Sequence, residues 1–343
     1  GASAWKAHPY DQLQKVQPET SRSVTPTFTG AALSSPENRY EKFDFDDLAE
    51  EPIDRDVTDG WAALIEHYFV AALIPAADAP QQFYSTAVGE QRYVVGYYGA
   101  ELDVPPGETR TVSSRLYAGP KLQEVLPKVA PGLELTVDYG HLWFIADALF
   151  WWLEALHSFF GNWGIAIILL TLTVKLLFYP LAAAGYRSMA KMRKVQPRLV
   201  ALKERFGSDR AAMNQAMMDL YKTERINPLG GCLPIVVQIP VFIALYWVLL
   251  ESVELRQAPF MLWIRDLSIK DPYFVLPVLM TASMWLQTKM NPAPLDPIQA
   301  KVMQIMPLAF GVFFAFFPAG LVLYWFVNNV LSIAQQWYVT KQM

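Results

Sequence analysis

Residues 302–340 carry no charged side chain. As one helix this stretch would be roughly 58 Å long, about twice the hydrocarbon thickness of a bilayer, so it must fold back on itself. Pro318, Ala319 and Gly320 sit near its middle, and Pro with Gly is a natural break in a helix. The stretch predicts a helical hairpin with arms at 302–317 and 321–338.

Three further apolar runs precede it. Residues 162–184 hold a single charge, Lys175; residues 229–250 hold none; residues 272–288 are closed by Asp271 and Lys289. About 20 residues of helix cross the hydrocarbon, and the sum is five membrane spans. Composition agrees: 53% of residues are hydrophobic and 17% charged, where a soluble domain carries about 25% charge. The third and fourth spans are short, which favours local thinning of the bilayer.

The two parts of the chain differ in charge. Residues 1–140 hold 11 Lys and Arg against 21 Asp and Glu, a net of −10; residues 141–343 hold 17 against 11, a net of +6. The connection 185–227 carries ten basic and four acidic residues, and the connection 251–271 three basic and four acidic. Basic connections stay in the cytoplasm, so the expected topology puts 185–227 and the C-terminus inside and the acidic 1–140 outside. Gly1 to Tyr10 is polar and is no signal peptide, which reads as the interior of a longer protein.

Residues 1–135 read as an all-β, sandwich-like domain. The run 93–98 is aromatic and β-branched, 109–118 partly alternates, and Pro105, Pro106, Gly107, Gly119 and Pro120 punctuate it. The run 61–74 is expected as a short helix packed on the sheet. Asp44, Asp46, Asp47, Glu50 and Glu51 form an acidic patch, a solvated surface with a calcium site as the alternative. Residues 136–160 are expected to lie as an amphipathic helix in the outer interface, with Asp147, Glu154, His157 and Ser158 on one narrow face. The basic connection reads as a cytoplasmic helical hairpin. Met189, Met192, Val195, Leu199, Leu202 and Phe206 recur at steps of three and four, as do Met213, Met217, Leu220 and Tyr221. Gly207 suits a C-cap, Ser208 or Asp209 an N-cap, and Pro197 a kink. Its methionines offer an adaptable docking surface.

No nucleophile elbow, zinc motif or phosphate loop is present, so neither an enzyme nor a cofactor is expected. The lone Cys232 excludes an internal disulfide, and the four scattered His have no metal-ligand spacing. No Asp or Glu lies within a span, which argues against proton-coupled transport. Lys175 is the exception to the apolar rule. A lysine at mid-membrane costs roughly 2.5–3.5 kcal/mol. Either it snorkels to the cytoplasmic face, or it faces a water-filled pocket between helices. Thr171 lies one turn before it, and Gln238, Asn328 and Asn329 supply further polar groups within spans.

The chain resembles the YidC-type membrane protein insertases, in their Gram-negative form. The resemblance rests on LTVDYGHLWFI (135–145), HSFFGNWG (157–164), SMAKMRKVQP (188–197), INPLGGCLP (226–234), SVELRQAPF (252–260) and FPAGLVLYW (317–325). It implies five spans (within 161–343) enclosing a hydrophilic groove open to cytoplasm and lipid. Lys175 stands where the family commonly has arginine, keeping the charge and losing the bidentate fork. Thr171, Gln238 and Asn328 would join it in the groove. Met189, Met192, Arg193, Lys194 and Met217 of the hairpin would dock substrate or partners. Leu233, Val237, Met306, Phe310 and Phe314 would guide an apolar segment along lipid. Implied partners are nascent membrane proteins, the Sec translocase, the ribosome and signal recognition components, and the bilayer, with no specific nucleic-acid sequence. The resemblance also leads one to expect an N-terminal anchor span and a basic C-terminal tail outside residues 1–343. Two other functions stay open: a transporter of small anionic solutes, and a structural subunit of the Sec translocase.

Overall fold

The computed structural model describes residues 5–16, 27–76, 80–89, 91–206, 209–224, 226, 233–291 and 297–342. They divide into two compact units, Gly1–Asp138 with Glu251–Glu254, and Tyr139–Leu250 with Leu255–Met343.

The first unit is built from β1 (Trp5–Ala7), β2 (Tyr10–Val16), β3 (Gly30–Ser34), β4 (Glu41–Asp44), α1 (Phe45–Glu50), β5 (Asp54–Val57), β6 (Trp61–Ile65), β7 (Phe69–Pro75), β8 (Gln81–Val88), β9 (Arg92–Tyr98), β10 (Leu102–Val104), β11 (Ser114–Pro120) and α2 (Leu126–Val129). A five-stranded antiparallel sheet in the order β11-β7-β6-β3-β4 packs on a four-stranded one in the order β2-β9-β8-β5. Leu33, Leu64 and Leu73 of the first sheet share a core with Phe83, Val95 and Tyr97 of the second. Phe45 and Leu48 of α1 join that core, Phe45 stacking on Tyr93 at 4.7 Å. The acidic residues around α1 are exposed, with Asp46 and Asp47 in its first turn, where the helix dipole favours negative charge.

Two local expectations change. The run 61–74 is no helix: it is β6 and β7, paired antiparallel from Ala62↔Leu73 to Ile65↔Val70. Every residue of β6 is buried, so no polar face interrupts the run, and a strand buried on both sides has the same apolar signature as a buried helix. Its far face is covered as well, since the Trp61 indole donates to the Pro131 carbonyl at 3.0 Å. The strand expected at 109–118 begins later and is β11. The residues before it include a turn in which Glu108 N–H donates to the Pro105 carbonyl and Gly107 takes φ +85°, the positive φ that the third residue of a type II turn demands.

The second unit is helical: α3 (Trp143–Phe160), α4 (Trp163–Leu177), α5 (Tyr179–Phe206), α6 (Arg210–Thr223), α7 (Leu233–Glu251), α8 (Val275–Met290), α9 (Pro297–Phe314) and α10 (Ala319–Lys341). The long uncharged stretch does fold back: α9 ends at Phe314 and Pro318 is the N-cap of α10. The Ala319 and Gly320 N–H groups donate to the carbonyls of Ile269 and Leu267 at 2.7 and 2.9 Å, satisfying donors a helix start leaves open. At the start of α8 the buried Asp271 carboxylate accepts from Leu276 N–H at 2.7 Å, Tyr273 N–H at 3.0 Å and the Trp263 indole at 2.9 Å. Asn162 caps α4, accepting from Ile165 N–H at 3.0 Å, while its amide donates to the Phe260 carbonyl at 2.9 Å. Along α3, Trp143, Phe144, Trp151 and Phe159 are exposed, and His157 stacks on Trp163 at 3.9 Å.

The run 162–184 is not one straight helix. It breaks at Phe178, and α4 and α5 meet at a bend of 68°. Pro180 falls in the first turn of α5, where its missing N–H needs no partner. Inside a continuous helix it would have lost the bond to the Leu176 carbonyl and crowded that turn. Consequently α5 continues unbroken into the basic connection. Among the described residues no single helix is long and apolar enough to cross a membrane, while α4 and α5 together have the length and composition.

The helical hairpin of the connection is formed by α5 and α6. Gly207 and Ser208 lie outside the described residues. Asp209 is the N-cap of α6, accepting from Ala211 and Ala212 N–H at 2.9 and 3.0 Å. Asp209→Ala is expected to cost about 1 kcal/mol, read as faster amide hydrogen exchange in the first turns of α6 with α10 unchanged.

Candidate functional site

Lys175 lies in the last turn of α4, where the exposed carbonyl ends of a helix favour a cation. The break at Phe178 thus gives the charge an electrostatic partner that a continuous span would not. The Lys175 ammonium donates to Ser332 Oγ at 2.8 Å, and the Ser332 hydroxyl donates to the Asn328 carbonyl at 2.7 Å. Ser332 is 5% exposed.

These groups face a cavity of about 310 Å³ in the helical unit. Its wall includes Lys175, Tyr186 and Met189 from α4 and α5, Gln238 and Phe242 from α7, and Gln287 from α8. Asn291 and, from α10, Tyr324, Trp325, Asn328, Asn329 and Ser332 complete the polar side. No carboxylate is among the lining residues. The cavity therefore offers one cation, several amides and hydroxyls, and an aromatic flank in which Phe242 packs on Trp325 at 4.5 Å.

Lys175, Gln238 and Asn328 are brought together, and Met189 joins them. Thr171 is not at the cavity wall: it is 1% exposed, and its hydroxyl donates to the Ile167 carbonyl at 2.7 Å. The hairpin residues separate. Met192 and Met217 lie in the seam between α5 and α6, half-buried and packed on Val195, Leu199 and Ile226, where they help hold the hairpin together. Arg193 donates to the Met290 carbonyl at 3.4 Å, at the carbonyl end of α8, and Lys194 is exposed. Of the apolar residues, Val237 and Met306 are exposed and Phe310 half-buried. Phe314 departs from a lipid-facing position. It is 3% exposed and packs on Trp325 at 4.1 Å, because the chain reversal after α9 returns α10 against it. The Leu233 side chain lies outside the described residues.

Sequence reasoning missed Ser332, Gln287, Asn291 and Tyr186. One signal was available: Asn329, Ser332 and Gln336 repeat at helical spacing in an otherwise apolar helix. Each reaches a different neighbour, Asn329 donating to Ser283 Oγ at 3.4 Å and Gln336 to Asn291 Oδ1 at 3.2 Å. A second, apolar trough of about 630 Å³ lies between α8 and α9, lined by Val278, Trp285, Leu308 and Val312 among others. Among the described residues no group of three or more His, Cys, Asp or Glu could hold a metal ion.

The first unit contains a buried charge cluster. Lys121 and Glu251 are 2% and 4% exposed. The Lys121 ammonium donates to Glu251 Oε2 at 3.3 Å and to the Thr136 carbonyl at 3.2 Å, and His67 Nε2 stands 4.0 Å from Glu251 Oε1. Burial drives both partners toward neutrality. It lowers the Lys121 ammonium and raises the Glu251 carboxyl to about 7, each against the attraction of the other. Burial, then Asp138 and Glu251, push the neighbouring Tyr40 hydroxyl up.

The sequence model of the 60Kd inner membrane protein family matches residues 155–343. The chain belongs to the 60Kd inner membrane protein family. Consistent with that membership, residues 1–152 match the YidC periplasmic domain. The chain is similar to curated family members named membrane protein insertase YidC. The protein of Methylococcus capsulatus is 56% identical over 99% of this chain and 63% of its own length. That of Nitrosococcus oceani is 55% identical over 99% and 62%, and that of Pseudomonas entomophila 55% identical over 100% and 62%. The chain thus spans a little over three fifths of these relatives. A solved chain titled "Active YidC insertase crystal structure with the first transmembrane domain resolved" aligns with a TM-score of 0.49 and 21% identity, covering 95% of this chain and 79% of the other.

Proposed function

We propose that this chain inserts and folds integral membrane proteins, acting as an insertase and chaperone in a bacterial inner membrane. One observation carries the reading: a single half-buried ammonium, Lys175, on the wall of a polar cavity free of carboxylates. A hydrophilic tail crossing hydrocarbon loses its water, at several kcal/mol for each unsatisfied polar group. A wet cavity removes part of that dry path, and a cation attracts an acidic tail into it. Partition of the adjoining apolar segment into lipid then supplies the driving force, with no nucleotide or cofactor. The α8 helix, 16 residues and about 24 Å long, would shorten the path further by thinning the bilayer.

In this reading α4 with the start of α5, α7 as far as Leu250, and α8 to α10, make five spans. Residues 1–135 are the periplasmic domain and 136–160 lie along the outer interface, with the aromatic side chains of α3 at headgroup level. The basic hairpin 185–227 and the C-terminus face the cytoplasm. Val237 and Met306 lie toward lipid, beside an arriving apolar segment. Exposed basic residues of the hairpin, Lys194 among them, meet ribosome or signal recognition components, and the Sec translocase is a further partner.

Reconstitution in liposomes tests this. The full chain alone is expected to bring a short single-span protein into a protease-protected, membrane-integrated state well above empty liposomes. Saturable uptake of a small anion without insertion would favour a transporter instead, and activity only with added Sec components would favour a structural subunit.

A further inference from the structure

The Ser332 hydroxyl has one proton, and that proton goes to the Asn328 carbonyl one turn back in α10. Its oxygen therefore meets the Lys175 ammonium purely as an acceptor. The hydroxyl is buried, on a helix that is also tied to its neighbours through Asn329 and Gln336. Lysine, by contrast, has a long flexible stem that readily carries its charge to the nearest interface. No carboxylate among the described residues lies within ion-pair distance of Lys175.

We propose that Ser332 is a positioning residue, which holds the Lys175 ammonium at the cavity wall through an uncharged acceptor that the carboxylate of an arriving chain replaces. The inference rests on the insertase reading and adds to it a reason for substrate charge preference. A carboxylate adds a direct charge–charge attraction, which a hydroxyl cannot supply, so an acidic tail displaces the hydroxyl whereas a neutral tail gains little by doing so. A fixed Asp or Glu at position 332 would give an ion pair that an incoming carboxylate could not improve on. A neutral acceptor keeps the cation in place and leaves its charge available.

The test uses the full chain in liposomes with two single-span substrates that differ only in an acidic or a neutral tail. Ser332→Ala is expected to slow insertion of the acidic-tailed substrate by about tenfold or more, the worth of one hydrogen bond to a charged group. The neutral-tailed substrate should change by less than about twofold, which is below the worth of one ordinary hydrogen bond. Ser332→Thr should restore the acidic-tail rate, and Ser332→Asp should remove the preference for the acidic tail. In a Lys175→Met background Ser332→Ala should add nothing, since the group it positions is gone. Equal slowing of both substrates, or a further loss in that background, would mean that Ser332 only packs α10, and the inference falls. No insertion by the unaltered chain defeats the insertase reading itself, while a tail preference lost in Lys175→Met but kept in Ser332→Ala defeats the positioning role alone.

Discussion

Lys175→Glu is expected to lower insertion of an acidic-tailed substrate by on the order of a hundredfold, with a neutral-tailed one changed several-fold at most. Two unit charges 4 Å apart interact by about 4 kcal/mol at an effective dielectric of 20. A wet cavity screens a good part of that, and a net of about 2–3 kcal/mol is a factor of roughly 30 to 140. The variant also turns attraction into repulsion at the site. The new carboxylate would stand at the carbonyl end of α4, where the dipole disfavours it, and would face the lone pairs of Ser332. Protease protection of the reconstituted substrates reads the effect. Equal loss for every tail would assign Lys175 to the architecture of the bundle and not to substrate charge.

Lys121→Met is expected to destabilise the first unit by about 3–5 kcal/mol, because it leaves the Glu251 carboxylate buried without its cation. Replacing both, as Lys121→Met with Glu251→Leu, should restore most of that stability, since well-packed apolar pairs often match buried ion pairs. The pH dependence has a definite sign. The Glu251 carboxyl is raised from an ordinary 4.5 to about 7, so the folded unit binds a proton that the unfolded chain releases. Its contribution is full below about 4.5 and is lost as pH rises through about 7. Lys121 is lowered from 10.5, so its contribution is full above 10.5 and is lost as pH falls through the lowered value. Glu251 therefore works against the fold at pH near 8. In the single variant, lowering pH from 8 to 5 should recover stability by protonating Glu251. Hydrogen exchange in β6 and β7 of the full chain, corrected for intrinsic rates at each pH, measures this. An exchange rate indifferent to pH would remove Glu251 as its cause.

Why would a pair that burial pushes toward neutrality be kept? Glu251 begins the short segment Glu251–Glu254 that belongs to the first unit although it is remote in sequence, and Gln123 N–H donates to Glu254 Oε1 at 3.4 Å beside it. Hydrophobic contact would hold such a segment in many registers, whereas a lysine with two acceptors holds it in one.

Much of this was legible in the sequence because the signals were strong and one-sided. The chain reversal before α10 follows from Pro318 in an uncharged run, and the α6 cap from an acceptor side chain ahead of a periodic segment. Lys175 declared itself by being the one charge in its run. What stayed hidden was information about partners. The methionines at 192 and 217 mark an apolar face, but periodicity does not say whether that face meets α6 or a visitor. Ser332 is a small polar residue in an apolar helix, and nothing local distinguishes a bond to a helix carbonyl from a bond to an ammonium 157 positions away. The strands β6 and β7 lacked alternation because both their faces are covered, and the break at Phe178 was masked by an apolar run that continues past it.

That break has a mechanical side. Beyond Phe178 the α5 helix runs for 28 residues, a rod about 42 Å long, with its near end four residues from Lys175 and its far end at the hairpin tip. Such a rod has the geometry of a lever arm, with the 68° bend beside the cation. A turn of about 5° about that bend would sweep the tip through about 4 Å.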